Sequence, residues 1–591
     1  MTNKNIIWSN IVLNELSSLG VEYACICAGS RSTPLTLSAF AHPKITCFSH
    51  IDERSGAFFA LGLAMITKKP VILISTSGTA TANFFPAIIE AESSNIPLIV
   101  ITADRPHELR ETGTNQTIDQ LNLYGNKVRW FKDILPPTID PPEKTIKYLR
   151  HIAHRSYYLA KNINPGPIHL NIPFDKPLEP ANNIDSSIHS MGSEYYNIHE
   201  EAFLNFDESY YSTSENSSNL LIESISSSQR GIILIGPMFY NMEFINFIST
   251  LSNLIGFPIF ADATSNLRYN DKLDQASFLI STYENFLPLL DMDNYPDLII
   301  HFGRMPISPN ILSFLSNYKG KYIQISEYNK WNDEFYNTTH YICSDYEKIL
   351  PSLINYFTEN PIKHDTKWIS KLLDWESSVQ KVISNILNDS TNDYCEINII
   401  FDVIKHISRD SKVFVSNSMP IRYLDKFVYS FSKTLEICFN RGVSGIDGIL
   451  SSAMGVATAS NQPVILITGD IAFYHDLTAL INISRNNVKI LIILINNNGG
   501  QIFSKLPIRR FDPPYNEFFI TPHEINFKEI CNGFKIQHQL VNTKIDLLEE
   551  LNQFNDNQLT KVLEFKIDNQ LTENSSMNLH SSILKQLHPS F

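Results

Sequence analysis

Asp470 follows the apolar run VILIT, and 27 residues later Asn497 stands among three asparagines that close the run VKILIILI. A carboxylate, an amide oxygen and a nearby backbone carbonyl are hard oxygen donors. Mg²⁺ takes one or two such protein ligands and completes its octahedron with water and phosphate oxygens. Far upstream, Glu53 opens the helical stretch in HIDERSGAFFALGLA. A carboxylate there can share a proton with a ligand's ring nitrogen, or simply be a first-turn glutamate favoured by the helix dipole. Four arginines fall at strand ends or just beyond: Arg31 in GSRS, Arg105 in ADRP, Arg422 in SMPIR and Arg441 in NRG. One arginine alone is commonly a surface ion pair; four planar forks on such edges suit ligands that carry carboxylates.

The elements that must position these residues are legible from pattern. In ILINNNGGQIF, Asn498-Gly499 could turn a hairpin. The following residues carry three prolines, Pro507, Pro513 and Pro514, and no sustained alternation, whereas the preceding run has the character of a parallel strand covered on both faces. A ligand-binding loop is therefore expected. Two distant segments repeat: ALGLA at Ala60 matches AMGVA at Ala453, and PVILIS at Pro70 matches PVILIT at Pro463, both 393 residues apart. Each copy alternates strand and helix, which right-handed crossovers convert to a doubly wound parallel sheet. A third such stretch lies between, with strands near 231, 257, 297 and 321. It is bounded by a Ser-rich linker at 209–219 and a join near 360. The expected fold class is α/β with three domains, each a mostly parallel doubly wound sheet, the first and third related. Their bounds are 1–185, 186–365 and 366–591. Ligands of such sheets lie beyond the C-terminal strand ends.

Bulk properties narrow the classes. The chain has 591 residues, 43% hydrophobic and 18% charged, with net charge −14. No basic run favours nucleic acid, and no apolar run reaches the length of a membrane span. Ile7, Ile11, Leu16 and Leu19 are spaced as on an amphipathic helix, without the cleavage site of a signal peptide. Seven cysteines without a CxxC pair read as reduced thiols, and a cytoplasmic location is expected. Cys25 and Cys27 read as core, and His50 and His475 as ordinary loop histidines. Neither copy carries G-x-G-x-x-G with a following acidic residue, so a nucleotide-dependent dehydrogenase is not expected.

Gly-Asp at a strand end, then apolar-Asn-Asn at this spacing, is the thiamine diphosphate pattern, with Ile471 replacing its third residue. GSRSTPLTL, TSGTATANFFPAIIEA, ITADRPHELRETGTNQTID, NRGVSGIDG, GDIAFYHDLTAL and NNNGGQIFSKLP extend the resemblance. Together they resemble the 2-succinyl-5-enolpyruvyl-6-hydroxy-3-cyclohexene-1-carboxylate synthase family of menaquinone biosynthesis. The resemblance covers the first and third domains and is thinner in the second. It implies a thiamine diphosphate-binding fold, with Mg²⁺ or Mn²⁺, that decarboxylates 2-oxoglutarate and adds the succinyl carbanion equivalent 1,4 to isochorismate. It assigns Glu53 to catalysis and Asp470, Asn497 and the Gly499 carbonyl to the metal. Cofactor contacts would come from Glu53, Thr76, Gly78, Ser416, Ser418, Ile446, Gly469, Asp470, Ile471, Asn497, Gly499, Gln501, Ile502 and Phe503, with Ile446 keeping the cofactor bent. Ser418, Arg422 and Arg441 would hold the 2-oxoglutarate carboxylate, and Ser30, Arg31, Arg105 and Gln116 isochorismate. It also implies a homodimer or homotetramer with active sites at subunit interfaces. One departure is that Pro309 and Asn310 stand where the family usually has a basic residue, with Arg304 five residues earlier. The rival readings are another thiamine diphosphate-dependent decarboxylase or carboligase, and a silent diphosphate-binding protein with no need of Glu53.

Overall fold

The computed structural model describes residues 3–139, 141–180, 202–204, 206–207, 210–274, 278–291, 294–389, 393–431, 433–557 and 559–588. Eighteen strands form three six-stranded sheets, every pair parallel among the described residues. The first contains β1 (Tyr23–Cys27), β2 (Thr46–Ser49), β3 (Val71–Ser75), β4 (Leu98–Asp104), β5 (Trp130–Asp133) and β6 (Pro167–Pro173), in the order β2-β1-β3-β4-β6-β5. The second contains β7 (Gly231–Ile235), β8 (Ile259–Ala261), β9 (Leu279–Ile280), β10 (Leu298–Phe302), β11 (Lys321–Ser326) and β12 (His340–Cys343), ordered β12-β11-β10-β7-β8-β9. The third contains β13 (Lys412–Val415), β14 (Glu436–Cys438), β15 (Val464–Gly469), β16 (Leu491–Asn496), β17 (Gln537–Leu540) and β18 (Lys561–Lys566), ordered β14-β13-β15-β16-β18-β17.

The first and third sheets share one strand order, and the second has the dinucleotide-fold order instead. This is the duplication that the repeated motifs require. The central strands VILIS, VILITG and LIILIN are buried along almost their whole length, as strands covered by helices on both faces must be. β16 lies between β15 and β18 with parallel partners on both sides, so the asparagine run turns no hairpin. The crossover from β15 to β16 comprises short helices, Asp470–His475, Leu477–Leu480 and Ile481–Asn486, rather than one long one.

By compactness the chain forms two units. One comprises Met1–Ser209, Asn440–Asn461 and Tyr474–Lys489; the other comprises Tyr210–Phe439, Gln462–Phe473 and Ile490–Phe591. Within the first, helix Ile449–Ala459 packs on helix Glu53–Thr67, its counterpart in the repeat. The contact runs through the matching glycines: a Cβ on Gly62 would overlap the Ser452 carbonyl, and one on Gly455 the Phe59 carbonyl. Within the second unit, the fully buried Arg268 ties the second sheet to helix Met419–Phe427. Its Nη2 donates to Asp425 Oδ1 at 2.8 Å and its Nη1 to the Asp425 carbonyl at 2.7 Å.

Two expectations need revision. The N-terminal helix, Lys4–Ser18, is buried nearly all round rather than amphipathic, with only Lys4, Asn10 and Ser18 less than buried. Its polar residues have partners: Asn5 Nδ2 donates to the Asp175 carbonyl at 2.6 Å, and Glu15 pairs with Arg150 and His154. The Ser-rich linker is helical from Glu215, capped by Ser214, because ENSSNLLIESISS carries helical apolar spacing behind a good N-cap. The boundary at 185/186 lies outside the described residues. That at 365/366 falls at Asp365, the N-cap of helix Thr366–Asn388.

Candidate active site

The expected residues divide between the two units. In the first, β1 runs into the turn Ser30–Ser32, which leaves Ser30 exposed and buries Arg31. Arg31 Nη1 donates to the Phe174 carbonyl at 2.6 Å. Arg105, just past β4, donates from Nη1 to Ser77 Oγ at 3.2 Å and from Nη2 to the Asn115 carbonyl at 2.8 Å. Burial, and then the charge of Arg105, lower the pKa of Arg31, while Asp175 and Asp104 oppose them. The Nε of both arginines and the Thr76 hydroxyl are buried without a hydrogen-bond partner. Gln116 donates to the Ser77 carbonyl at 3.1 Å and accepts the Ser77 hydroxyl at 3.1 Å. Gly78, at φ +89°, gives its N–H to Gln120.

Glu53 begins its helix behind Asp52, whose side chain accepts from the Ser55 N–H. Sequence reading missed what anchors this turn. Arg54 donates to the His475 carbonyl at 2.7 Å, Thr478 Oγ1 donates to Asp52, and Asn482 Nδ2 donates to Ser55 Oγ at 3.2 Å. Ser451 Oγ lies 2.9 Å from Ser55 Oγ, and the buried Asp476 accepts the Ser451 N–H at 2.7 Å. Burial pushes the Asp476 carboxyl up to about 7. His475 thus ends a helix beside the Glu53 turn rather than lying in a loop. His50 is buried, packs at a tilt against the Phe59 ring and is pushed down to about 4 by burial. Cys25 and Cys27 are buried in β1. Arg441 and Ile446 belong to this unit, on the stretch leading into helix Ile449–Ala459; the adjacent Gly448 lies against the Phe58 ring.

In the second unit, Ser416 follows β13 with its hydroxyl buried and without a partner. Ser418 sits at φ 72°, ψ −127°, a conformation costing a non-glycine residue about 1–3 kcal/mol. Its carbonyl accepts from Arg422 Nη1 at 2.6 Å. Strain of this kind persists where its surroundings fix it, and here it stands at the N-terminus of helix Met419–Phe427.

Gly469 ends β15 with open space where a Cβ would be, and Asp470 is buried beside it. One Asp470 oxygen accepts the Ile471 N–H at 2.7 Å and the other the Gly499 N–H at 3.0 Å. His523 Nε2 lies 3.2 Å from the same carboxylate, and its Nδ1 accepts the Ile525 N–H at 3.1 Å. That bond leaves the neutral ring's proton on Nε2, which is near the Asp470 carboxylate but makes no hydrogen bond to it. Burial raises the Asp470 pKa against these donors. Asn497 hydrogen-bonds through its side chain to buried Glu396, whose carboxyl is pushed up to about 8 by burial. The Gly499 carbonyl accepts the Gln501 N–H at 2.9 Å. Ile502 and Phe503 follow on turn Gln501–Lys505, where Phe503 packs edge-on against Phe519. Asn498, at φ 58°, accepts the His523 and Glu524 N–H groups and so fixes the loop that carries His523.

Among the described residues no cluster of three or more His, Cys, Asp or Glu could hold a metal. A cation here would need the single carboxylate of Asp470 with amide, carbonyl and ligand oxygens, which is a Mg²⁺-type donor set. Within the second unit, the partnerless Ser416 hydroxyl and the open space over Gly469 also fit a polar cofactor. Pro309 and Asn310 carry no charge: they open helix Pro309–Asn317, where the Asn310 N–H donates to Glu284 at 3.0 Å.

Family models of the thiamine pyrophosphate enzymes match all three regions: the N-terminal TPP binding domain at residues 8–123, the middle domain at 202–415 and the C-terminal TPP binding domain at 423–565. Proteins named 2-succinyl-5-enolpyruvyl-6-hydroxy-3-cyclohexene-1-carboxylate synthase align along most of the chain. That of Roseiflexus sp. is 36% identical over 547 residues, 91% of each chain; that of Haloquadratum walsbyi 37% over 555, 89% of each; that of Trichodesmium erythraeum 35% over 588, 96% of each. Fold and comparisons define a thiamine diphosphate-dependent enzyme that forms carbon–carbon bonds. Within that class, the chain belongs to the 2-succinyl-5-enolpyruvyl-6-hydroxy-3-cyclohexene-1-carboxylate synthase family. No helix among the described residues is long and apolar enough to cross a membrane.

Proposed function

We propose that this enzyme decarboxylates 2-oxoglutarate and transfers the succinyl unit, by 1,4-addition, to isochorismate in menaquinone biosynthesis. The observation that carries the reading is the meeting of Asp470 and the Asn497–Gly499 loop at adjacent ends of β15 and β16, in a chain whose relatives bear that synthase's name. Thiamine diphosphate, when bound, supplies the electron sink that lets a 2-oxo acid lose CO₂. Asp470, Asn497 and the Gly499 carbonyl hold Mg²⁺ or Mn²⁺, and Thr76, Gly78, Ser416, Gly469, Ile471, Gln501, Ile502 and Phe503 line the cofactor. Glu53 holds a proton against its aminopyrimidine ring, and Ile446 packs against it. Ser418, Arg422 and Arg441 bind the 2-oxoglutarate carboxylate; Ser30, Arg31, Arg105 and Gln116 bind isochorismate. With Asn310 engaged by Glu284, the charge for isochorismate falls to Arg31 and Arg105, whose buried Nε groups have hydrogen-bonding capacity to spare. The domains divide at 1–185, 186–365 and 366–591, the working form is at least a dimer with shared active sites, and the location is cytoplasmic.

The test is loss of isochorismate absorbance with thiamine diphosphate, Mg²⁺ and 2-oxoglutarate. Loss should require every component and fall roughly 10²–10⁴-fold in Glu53→Gln. Release of CO₂ from 2-oxoglutarate with isochorismate untouched would move the acceptor elsewhere.

A further inference from the structure

Glu90 is a buried carboxylate to which the reaction above gives no role. It stands in the middle of helix Phe85–Ser94 with 2% of its surface exposed. Its carboxylate accepts the Gly442 N–H at 2.7 Å, the Val443 N–H at 2.8 Å and the Ser94 hydroxyl at 2.7 Å. Ser93 completes the clamp by donating to the Gly442 carbonyl at 3.0 Å. On the other side of Arg441, Asn440 Nδ2 donates to Ser452 Oγ at 2.9 Å.

These contacts fix the main chain on both flanks of Arg441 in a stretch that has no regular secondary structure between Cys438 and Ile449. Two successive amides on one carboxylate set two consecutive peptide planes, and charge-assisted bonds of this kind are among the stronger hydrogen bonds. Gly442 is required by the approach itself. A Cβ there would stand 2.6 Å from Ser94 Oγ and 2.8 Å from Glu90 Oε1. The loop therefore does not choose its own conformation; a side chain from the other copy of the repeat imposes it.

We propose that Glu90 is a positioning residue for the oxo-acid substrate: by clamping Gly442 and Val443 it aims Arg441 at the 2-oxoglutarate carboxylate. This rests on the assignment of Arg441 made under Proposed function. The N-terminal copy then contributes to recognition of the first substrate as well as supplying Glu53.

The experiment compares the full-length wild type with Glu90→Gln and the milder Ser93→Ala, loaded with thiamine diphosphate and Mg²⁺. Glutamine keeps the size but replaces one acceptor oxygen with a donor facing an N–H group. KM for 2-oxoglutarate should rise about tenfold in Glu90→Gln and about two- to threefold in Ser93→Ala, with KM for isochorismate within about twofold of wild type. Hydrogen exchange of peptides spanning 440–446 should speed up in the same order. An active Glu90→Gln with unchanged KM for 2-oxoglutarate, or with both KM values raised alike, overturns the proposal. If Glu90→Gln does not fold, the same criteria apply to Ser93→Ala. A wild type that does not consume isochorismate brings down the reaction reading, and this role with it; that control separates the two failures.

Discussion

The first and third sheets share one strand order but carry opposite chemistry at equivalent strand ends. Matching Pro70 to Pro463 places Ser77 opposite Asp470 and Glu53 opposite Ile446. The registers Ile72–Ile99 and Ile465–Leu491 then place Arg105 opposite Asn497. One edge therefore presents a hydroxyl and a guanidinium, which can meet an anion directly. The other presents a carboxylate and an amide, which suit an anion only through a cation. Below these ends the architecture keeps a constraint while exchanging its parts. In the first sheet Asn171 Nδ2 on β6 donates to Asp104 on β4 at 2.9 Å; in the third, Asn496 Nδ2 on β16 donates to Glu564 on β18 at 2.7 Å. Acid and amide have changed strands, and the inter-strand bond persists. Duplication preserved the packing requirement and left the strand ends free to diverge.

The comparison breaks most readily at the metal edge. Asp470→Ala should weaken Mg²⁺-dependent retention of thiamine diphosphate by roughly 10²-fold or more, measured by calorimetric titration. Ser77→Ala at the equivalent position should leave it within about threefold; equal losses would mean the edges are not specialised. The paired glycines give the next effect. Gly62→Ala and Gly455→Ala should each cost about 1–3 kcal/mol in a denaturant titration, and by similar amounts, since each drives a methyl group into the facing helix.

Exchange of acid and amide can be tested in the third sheet. Asn496→Asp alone opposes two buried carboxylates and should cost about 1–2 kcal/mol. Adding Glu564→Gln should restore most of it, because glutamine can accept from His538, now 2.8 Å from Glu564, and still donate to position 496. Absence of recovery would deny the equivalence.

A further effect is a slope with pH. Asp476 has a folded-state pKa near 7, above its ordinary 3.8. Between those values the folded chain holds a proton that the unfolded chain has released. Its contribution to stability is complete below the lower value and lost as pH rises through the higher. Wild type should therefore lose stability relative to Asp476→Asn between about pH 4 and pH 7, as read from denaturation midpoints. A constant difference would place the Asp476 pKa in the ordinary range.

Legibility followed the range of the interactions. Asp470 and Asn497 were visible because apolar runs mark strands and a parallel strand must end in a loop. Gly62 and Gly455 lay inside matching motifs, yet nothing local said that they face each other. The burial of helix Lys4–Ser18 was hidden because its partners, 175–177 and Glu143–Lys161, lie far along the chain. His523 gave no signal, since neither the length of its loop nor the capture of that loop by Asn498 has a periodic trace.

The sequence by itself determined the strands, the repeat and the polar residues at the strand ends, because burial of apolar runs is a local demand that each segment states in its own composition. Tertiary structure alone decided which distant residues meet: Glu90 on the Gly442 and Val443 amides, Asp476 on Ser451, His523 beside Asp470. A polar contact between residues separated by tens to hundreds of positions depends on the path of the whole chain. A buried polar atom needs a partner, but it does not specify which one.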